Sequence, residues 1–430
     1  CRMNMGIIFL IFIVLLVVGT NIYANLGICS LLYCLTNGFT PLAVVQRITM
    51  AANSFPLLAA PFFIIMGNIM NTSGVTKRMF NFANVLVGHM PGGLGHANIV
   101  ASVLFAGMSG TAVADAAGLG TIEIKAMRDA GFDDDFSCAI TGASSTIGPI
   151  IPPSLPMVLY AVLAEASVGR LFMGGLLPGV IMAGTLMAMV FWYAKRRAYP
   201  RAPRPTGKTL WKAFKDAFWA LMAPVLLFGG IVSGVFTPTE AAVFAAFYSL
   251  ILGLFVYKEF SIKDLPRIIL ATVETNGVVL ALVMTAVMFG WALSVANVPQ
   301  ILASGIMSVS NHPVVILLLI NAFLLFVGMF MEANAAIMIL TPIFIPLMHA
   351  LGVSTTQFGI MMILNLMIGL LTPPVGIVLY VVSNVAKVSF ERVTKATAPF
   401  LIPLLTVLLL ITLIPGITTW IPNLLFGPEL

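Results

Sequence analysis

The chain has 430 residues, of which 60% are hydrophobic and only 8% are charged, and its mean hydropathy is +1.08. A soluble protein of this length could not carry such a composition without aggregating, so lipid must be the solvent for most of the chain. The formal net charge of +6 does not indicate nucleic acid binding, because the basic residues cluster in short segments between apolar stretches.

Apolar stretches of about 20 residues, each long enough to span a bilayer, follow one another along the chain. The first, residues 5–35, is too long for a signal peptide and lacks a small-residue cleavage site, so we expect one or two spans broken near residues 21–25. The stretches are apolar on every side, unlike the alternating strands of a membrane barrel. The sequence therefore predicts an all-α polytopic membrane protein.

Glycine and proline interrupt two apolar segments of the first half. Residues 105–111 read F-A-G-M-S-G-T, and about 40 residues later residues 148–154 read G-P-I-I-P-P-S before a V-L-Y sequence. Proline lacks an N–H and clashes with the carbonyl group four residues back, so the second segment must unwind locally. Unwound carbonyls in hydrocarbon need a partner, and carbonyl and hydroxyl oxygens suit a hard cation such as sodium. A simple packing kink is the alternative.

A basic, proline-containing stretch divides the chain almost in half. Eight Lys and Arg residues fall within residues 195–215, whereas none occurs between Arg267 and Lys387. The positive-inside rule makes the basic stretch cytoplasmic and the segment around residues 311–313 periplasmic. Its sequence T-G-K-T at residues 206–209 is not a phosphate-binding loop, because Ala202 stands where the first glycine is required. Energy must therefore come from an ion gradient or from another chain.

The second half repeats the interrupted pattern of the first. Residues 326–332 read F-V-G-M-F-M-E, and about 40 residues later residues 371–376 read L-T-P-P-V-G before another V-L-Y sequence. Paired interruptions at matching positions are typical of discontinuous helices around a midplane site in secondary transporters. We therefore expect a first repeat over residues 1–198, a basic cytoplasmic linker over residues 199–217 and a second repeat over residues 218–430.

Asp115 and Glu332 stand in apolar surroundings without an adjacent cation, so each is expected to face a cavity, a partner or an ion. Glu332 occupies the place in the second repeat that Thr111 occupies in the first. The alternative for Glu332 is a lone acid that reaches water at the edge of the membrane. The D-D-D sequence at residues 133–135, with basic neighbours, predicts a water-exposed turn at the membrane surface.

Four segments together carry a family resemblance: residues 54–63, 67–70, 105–117 and 147–154. Through these segments, the chain resembles the large membrane subunit, the M type, of tripartite ATP-independent periplasmic (TRAP) transporters. The resemblance covers about residues 6–426. The resemblance implies inverted repeats with two re-entrant helical hairpins and two discontinuous helices. It also implies an elevator-type arrangement of a scaffold and a transport domain in the bacterial inner membrane.

The same resemblance implies sodium-coupled import of a small organic acid of the sialic acid or C4-dicarboxylate class. It implies three partners besides membrane lipid: a small four-helix membrane subunit of the Q type, a periplasmic substrate-binding protein of the P type, and the organic acid. Nucleic acid is not expected as a partner, and sodium is the only expected cofactor. The first sodium site maps to Ser109, Thr111, Gly148, Ile151 and Pro153. The second sodium site maps to Gly328, Glu332, Thr372, Pro373 and Val375. Ser144, Ser145, Asp115 and Asn334 are predicted to bind the substrate.

Three other functions compete with this interpretation. A related two-hairpin symporter for sodium and dicarboxylates would work without partner proteins. An intramembrane enzyme would need paired aspartates on facing spans or an H-E-x-x-H sequence, and the chain has neither, so we expect no enzyme. A passive channel is disfavoured by inverted repeats with two broken helices, which are typical of alternating access.

Overall fold

A computed structural model describes residues 4–298, 300–301, 305 and 312–429. Within these ranges the chain is helical and contains no β-strand, which confirms the predicted all-α class. Several helices in this part of the chain are long and apolar enough to cross a membrane: Phe55–Thr72, Val168–Arg197, Gly207–Val232, Pro238–Val256, Ile262–Val295, Ala333–Ala350 and Phe390–Leu413.

The first five helices are α1 (Met5–Val17), α2 (Ile22–Thr36), α3 (Pro41–Ala52), α4 (Ala59–Thr72) and α5 (Val75–Val87). The first apolar stretch is thus two helices, and the expected interruption lies at residues 18–21. The buried amide Nδ2 of Asn25 donates a hydrogen bond to the carbonyl oxygen of Phe12 at 2.9 Å. This bond fixes α2 against α1.

The next five helices are α6 (Gly93–Ser109), α7 (Ala112–Asp129), α8 (Asp134–Ser145), α9 (Leu155–Ala164) and α10 (Val168–Arg197). Only residues 110–111, the first tip, separate α6 from α7, and the two helices pack against each other as a helical hairpin. Residues 146–154, the first break, separate α8 from α9. The predicted proline interruption is therefore present at this place.

The second half begins with α11 (Gly207–Val232), α12 (Pro238–Ile251) and α13 (Leu265–Val295). It continues with α14 (Pro313–Gly328), α15 (Ala333–Ala350), α16 (Thr355–Gly369), α17 (Ile377–Ala386), α18 (Phe390–Leu413) and α19 (Gly416–Phe426). Residues 329–332 form the second tip and residues 370–376 the second break. Each break contains a cis peptide bond between its adjacent prolines, Pro152–Pro153 and Pro373–Pro374. The inverted orientation of the two repeats stays a prediction.

Side-chain N-caps explain where many of these helices begin. A cap oxygen accepts a hydrogen bond from a backbone N–H of the first turn, which would otherwise lack a partner. Caps of this kind are Thr40, Thr111, Ser154, Ser167, Thr206, Thr237, Glu332 and Ser354. Two of them, Thr111 and Glu332, are the last residues of the first and second tips respectively.

The helices pack as two groups. In the outer group, α13 packs against α2, α3 and α4, while α4 packs against α12 and α5 against α11. In the inner group, α8 packs against α7 and α18, α10 against α18 and α19, and α15 against α9 and α16. The groups meet where α5 contacts α6 and where α13 contacts α15. Both tips and both breaks belong to the inner group.

The predicted linker, residues 199–217, is irregular only in its first part. Residues 198–206 lie between helices, and Gly207 begins α11. Lys195, Arg196 and Arg197 occupy the last turn of α10, where positive charge interacts favourably with the helix dipole. Of the segment 311–313, which is predicted to be periplasmic, residue 311 lies outside the described residues.

Candidate functional site

A cavity of about 180 Å³ lies between the outer and inner helix groups. Asn68 and Asn71 of α4 and Thr275 of α13 line it from the outer group. Thr111 of the first tip and Pro153 of the first break line it from the inner group. The cavity therefore places amide and hydroxyl groups of the outer helices opposite two residues predicted for the first sodium site.

The first tip brings its backbone close to the start of α9. Gly110 has a φ of +63°, a left-handed conformation that glycine adopts without strain. A Cβ atom on Gly110 would lie 3.5 Å from the N atom of Leu155. Thr111 caps α7, since its Oγ1 accepts a hydrogen bond from the N–H of Ala114 at 3.2 Å. The side chain of Ser109, also predicted for this site, lies outside the described part of the structure.

The first break is buried, and only part of its backbone is satisfied by hydrogen bonds. The hydroxyl group of Ser154 donates to the carbonyl oxygen of Pro149 at 2.6 Å and accepts from the N–H of Met157 at 3.3 Å. In contrast, no N–H or side chain of the described residues donates to the carbonyl oxygens of six break residues, which are Thr146, Gly148, Ile150, Ile151, Pro152 and Pro153. Three of them, Gly148, Ile151 and Pro153, are residues that the family resemblance assigns to the first sodium site. Buried carbonyls without donors are costly unless a cation or water satisfies them.

Helix α10 holds the break through a surface of glycines. A Cβ atom on Gly175 would lie 2.2 Å from the carbonyl oxygen of Ile150, and one on Gly179 would lie 2.3 Å from Cγ1 of Ile151. Both distances are far below ordinary van der Waals contact, so only glycine permits this approach. Thr111 and Pro153 line the cavity, whereas Gly148 and Ile151 are not among its lining residues.

The second tip and second break also approach each other closely. A Cβ atom on Gly369 would lie 2.5 Å from Cα of Gly328, so the ends of α14 and α16 touch through their backbones. Thr372 donates its hydroxyl hydrogen to the carbonyl oxygen of Ile368 at 2.9 Å. Pro373 is exposed and Val375 is partly exposed, unlike the buried first break. The residues predicted for the second sodium site thus lie on two neighbouring elements, and part of the site is open to the surroundings.

Glu332 has a structural role that the sequence analysis did not include. It is the N-cap of α15: its Oε2 accepts from the N–H of Ala335 at 3.0 Å, and its Oε1 accepts from Nδ2 of Asn334 at 2.9 Å. Asn334, which was predicted to bind substrate, uses its Nδ2 for this bond, while its buried Oδ1 has no hydrogen-bond partner among the described residues. The carboxylate is therefore already stabilised by two donors, one of them a helix N-terminus.

The other residues predicted to bind substrate point into the inner group instead of lining the cavity. Ser144 is completely buried and donates to Oδ1 of Asn98 at 2.6 Å, while Nδ2 of Asn98 donates to Glu123 at 2.7 Å and to Thr141 at 2.8 Å. Ser145 donates to the carbonyl oxygen of Gly142 at 2.8 Å. Ser144 thus links α8 to α6, Ser145 bonds within α8, and neither belongs to the cavity wall.

Two buried carboxyl groups remain incompletely paired inside the hairpin. Both oxygens of Asp115 and the Oε1 of Glu123 have no hydrogen-bond partner among the described residues, and the side chains are only 2% and 1% exposed. A carboxylate at a helix centre in the membrane costs about 2.5–3.5 kcal/mol on insertion scales. Sequence analysis singled out Asp115 but missed Glu123, whose spacing of eight residues places it near the same face of α7.

Sequence analysis also missed the residues of the outer wall. Asn68 lies within the G-N-I-M segment that contributed to the family resemblance, and an amide in an apolar span was the available signal. Its Nδ2 donates to Oγ1 of Thr272 at 3.0 Å, which links α4 to α13. Nothing in the local sequence distinguishes Thr275 as a cavity residue, because the contact depends on how α13 packs.

Comparison with known proteins places the chain among transporters. Residues 9–417 match the family model described as "Tripartite ATP-independent periplasmic transporter, DctM component". The sialic acid TRAP transporter permease protein SiaT of Haemophilus influenzae is 46% identical, with 97% of this chain and 68% of that protein covered. The sialic acid TRAP transporter large permease protein SiaM of Vibrio cholerae is 45% identical, with 91% of this chain and 92% of that protein covered.

More distant proteins agree with this placement. The C4-dicarboxylate TRAP transporter large permease protein DctM of Rhodobacter capsulatus is 36% identical over 98% of this chain and 100% of its own length. The crystal structure of the YdaH transporter of Alcanivorax borkumensis shares the fold, with a TM-score of 0.61, 16% identity and 87% coverage of both chains. Together with its membrane-spanning helices, these matches make the protein a multi-pass inner-membrane transport protein and not an enzyme. The chain belongs to the DctM component family of tripartite ATP-independent periplasmic transporters.

Proposed function

We propose that the protein is the large permease subunit of a sodium-coupled importer for a small organic acid. The observation that carries this proposal is the first break, where several carbonyl groups, including those of Gly148, Ile151 and Pro153, have no donor among the described residues and lie beside the hydroxyl-bearing tip. Sodium is a hard cation that prefers such oxygens, and its binding would remove the cost of leaving them unpaired. The second sodium ion is proposed at Gly328, Glu332, Thr372, Pro373 and Val375.

The proposed substrate site is the cavity beside the first sodium site. Its walls carry amide and hydroxyl groups, and no lysine or arginine is among the described residues that line it. A substrate carboxylate in this cavity would therefore need the bound sodium ion as its counter-charge, which couples substrate binding to sodium binding. The relatives named for sialic acid and for C4-dicarboxylates support an organic acid of one of these classes.

Alternating access is proposed to be of the elevator type. The cavity lies at the boundary between the outer and inner helix groups, so movement of the inner group past the outer one would carry both ion and substrate. Under this proposal the outer group is the scaffold and the inner group the transport domain. A small Q-type membrane subunit and a periplasmic P-type binding protein are the proposed partners, as family membership implies.

The proposal is tested by uptake into proteoliposomes that contain the purified transporter with its small subunit. Binding proteins loaded with sialic acid or with a C4-dicarboxylate are added outside, with an inward sodium gradient or with potassium in its place. We expect uptake only with sodium and only with one class of loaded binding protein. Equal uptake in potassium would refute sodium coupling, and uptake of free acid without any partner would favour the symporter that works alone.

Thr111→Val removes one hydroxyl group at nearly constant volume and should raise the sodium concentration for half-maximal uptake. Thr121→Val is the control for loss of a threonine hydroxyl group, because Thr121 is exposed on α7, the helix that Thr111 caps, and bonds only to the carbonyl oxygen of Gly118. Equal sodium dependence of the two variants would remove Thr111 from the site.

A further inference from the structure

The D-D-D sequence at residues 133–135 joins several helices at the end of the molecule where α8 begins. Three ion pairs connect it to other helices: Asp133 to Arg197 at 2.7 Å, Asp134 to Arg128 at 2.6 Å, and Asp135 to Arg392 at 2.9 Å. Sequence analysis predicted only a water-exposed turn here. Because these pairs are exposed, each contributes little stability alone, but together they gather cationic side chains from α7, α10 and α18 around one point.

A cavity of about 270 Å³ opens beside this point, between the end of α10 and the start of α18. The charged residues that line its rim are the cations Arg197, Arg392 and Lys395 and the carboxylate of Asp135, which pairs with Arg392. Its floor is aromatic: Tyr193 stacks on Phe400 with ring centres 5.5 Å apart and planes 10° apart. Phe136 completes the floor, 5.6 Å from Tyr193.

The rim has positive charge that the protein does not neutralise. Arg197 and Arg392 face Asp133 and Asp135, but Lys395 is exposed and forms no ion pair in the described part of the chain. Lys195 and Arg196, in the last turn of α10, add two more positive charges nearby. The cavity therefore has a cationic rim and an aromatic floor.

Aromatic side chains place this rim at the level of the lipid headgroups. Trp192 is 45% exposed, and the guanidinium of Arg196 lies 4.0 Å from the centre of its ring. Tryptophan and tyrosine prefer the boundary between hydrocarbon and headgroups, and arginine and lysine at helix ends reach towards phosphate groups. The rim therefore lies where a lipid phosphate is available.

We propose that this cavity binds the headgroup of an anionic phospholipid. The phosphate would accept hydrogen bonds from Lys395 and from the free N–H groups of Arg197 and Arg392, while the glycerol and upper acyl chain would lie against the aromatic floor. A basic pocket between membrane helices is the typical form of such a site on the cytoplasmic side. The assignment to the cytoplasmic leaflet rests on the positive-inside rule, which predicts that residues 195–215 are cytoplasmic.

The bound lipid would connect α10 and α18, the two helices that flank α8 at this end. Helix α8 leads directly into the first break, and its first residues already bond to both neighbours through Asp133 and Asp135. A phosphate that draws Arg197 and Lys395 together would tighten the same contacts. Lipid binding should therefore raise the thermal stability of the transporter.

The test measures the melting temperature of the purified transporter in detergent micelles with added phosphatidylglycerol, phosphatidylcholine or inorganic phosphate. We expect saturable stabilisation by phosphatidylglycerol alone. Lys395→Gln should raise the half-saturating amount of phosphatidylglycerol about five- to tenfold, as expected for one lost contact to phosphate, and Lys395→Glu should raise it further. Both changes are at an exposed position, so folding should persist.

Lys387→Gln is the matched control, because Lys387 is exposed at the end of α17, outside the cavity, and its loss changes the net charge equally. We expect it to behave as the wild type. The proposal is overturned if Lys395→Gln and Lys387→Gln respond alike, if phosphatidylcholine stabilises equally, or if inorganic phosphate replaces the lipid. Since the assay contains neither substrate nor a sodium gradient, its result is independent of whether uptake is sodium-coupled.

Discussion

Gly175 of α10 faces the first break, and one added methyl group there would displace the backbone at Ile150, next to the carbonyl groups proposed to bind sodium. In Gly175→Ala the new Cβ would lie 2.2 Å from the carbonyl oxygen of Ile150 and 2.6 Å from Cε of Met157. The methionine can move away, but the carbonyl belongs to the backbone of the break. To reach ordinary contact, the break must shift by more than 1 Å.

The expected effect on sodium is larger than the effect on stability. Overpacking of this kind costs about 1–3 kcal/mol, and the better helix propensity of alanine offsets up to about 1 kcal/mol of it. A binding site must be held within about 0.5 Å of its working geometry, so a shift of this size exceeds the tolerance of the site. We expect Gly175→Ala to raise the half-saturating sodium concentration at least tenfold while the protein still folds.

The assay is a sodium titration of uptake, together with the melting temperature in detergent. Gly184→Ala is the control on the same helix, because a Cβ atom on Gly184 has nothing within 4 Å. This control should keep the wild-type sodium dependence and should be as stable as the wild type or slightly more stable. If both alanine variants show the same sodium dependence, the carbonyl groups of the first break do not bind sodium.

Four further predictions follow from other parts of the structure. Glu332→Gln should lower uptake sharply, with partial recovery at high sodium, and wild-type uptake across a sodium titration would contradict this. Asn98→Leu leaves Glu123 without its donor and should lower the free energy of unfolding by about 1–3 kcal/mol, measured by thermal denaturation. Burial alone would raise the pKa of Glu429, but hydrogen bonds from Ser354, Thr355 and Thr356 hold that pKa below its ordinary value. The stability that Glu429 contributes at neutral pH should therefore be lost as the pH falls through the lowered folded pKa, whereas Glu429→Gln should show no such loss in a pH series of melting temperatures. A cysteine introduced within residues 195–215 should react with an impermeant reagent only from the cytoplasmic side, and labelling from outside would reverse the topology.

The interruptions of the helices could be predicted because their causes are local. The prolines of residues 149–153 remove backbone donors and clash with the preceding turn, so an unwound segment follows from the sequence alone. The same holds for Pro373 and Pro374. The break between α1 and α2 was expected near residues 21–25. It comprises residues 18–21, because α1 ends at Val17 and α2 begins at Ile22. Local rules thus locate a break to within a few residues.

Roles that depend on distant partners could not be predicted in this way. Ser144 and Ser145 looked available because they precede the break, but their hydroxyl groups are used within α8 and by Asn98. The ion pair between Asp133 and Arg197 joins residues far apart in the chain, and no sequence spacing indicates it. Glu332 caps α15, although glutamate is not among the residues that commonly occupy this position. The contacts of Ser144 and Asp133 are set by how the helices pack, whereas the bonds of Ser145 and Glu332 join residues three apart in the chain.

Direct binding of radioactive sodium to the purified transporter tests the central claim most directly, because it needs no substrate and no partner protein. We predict saturable binding that excess potassium does not displace, and weaker binding in Thr111→Val than in the control Thr121→Val. Absence of saturable binding, or equal binding by the two variants, would contradict a sodium site between the first tip and the first break.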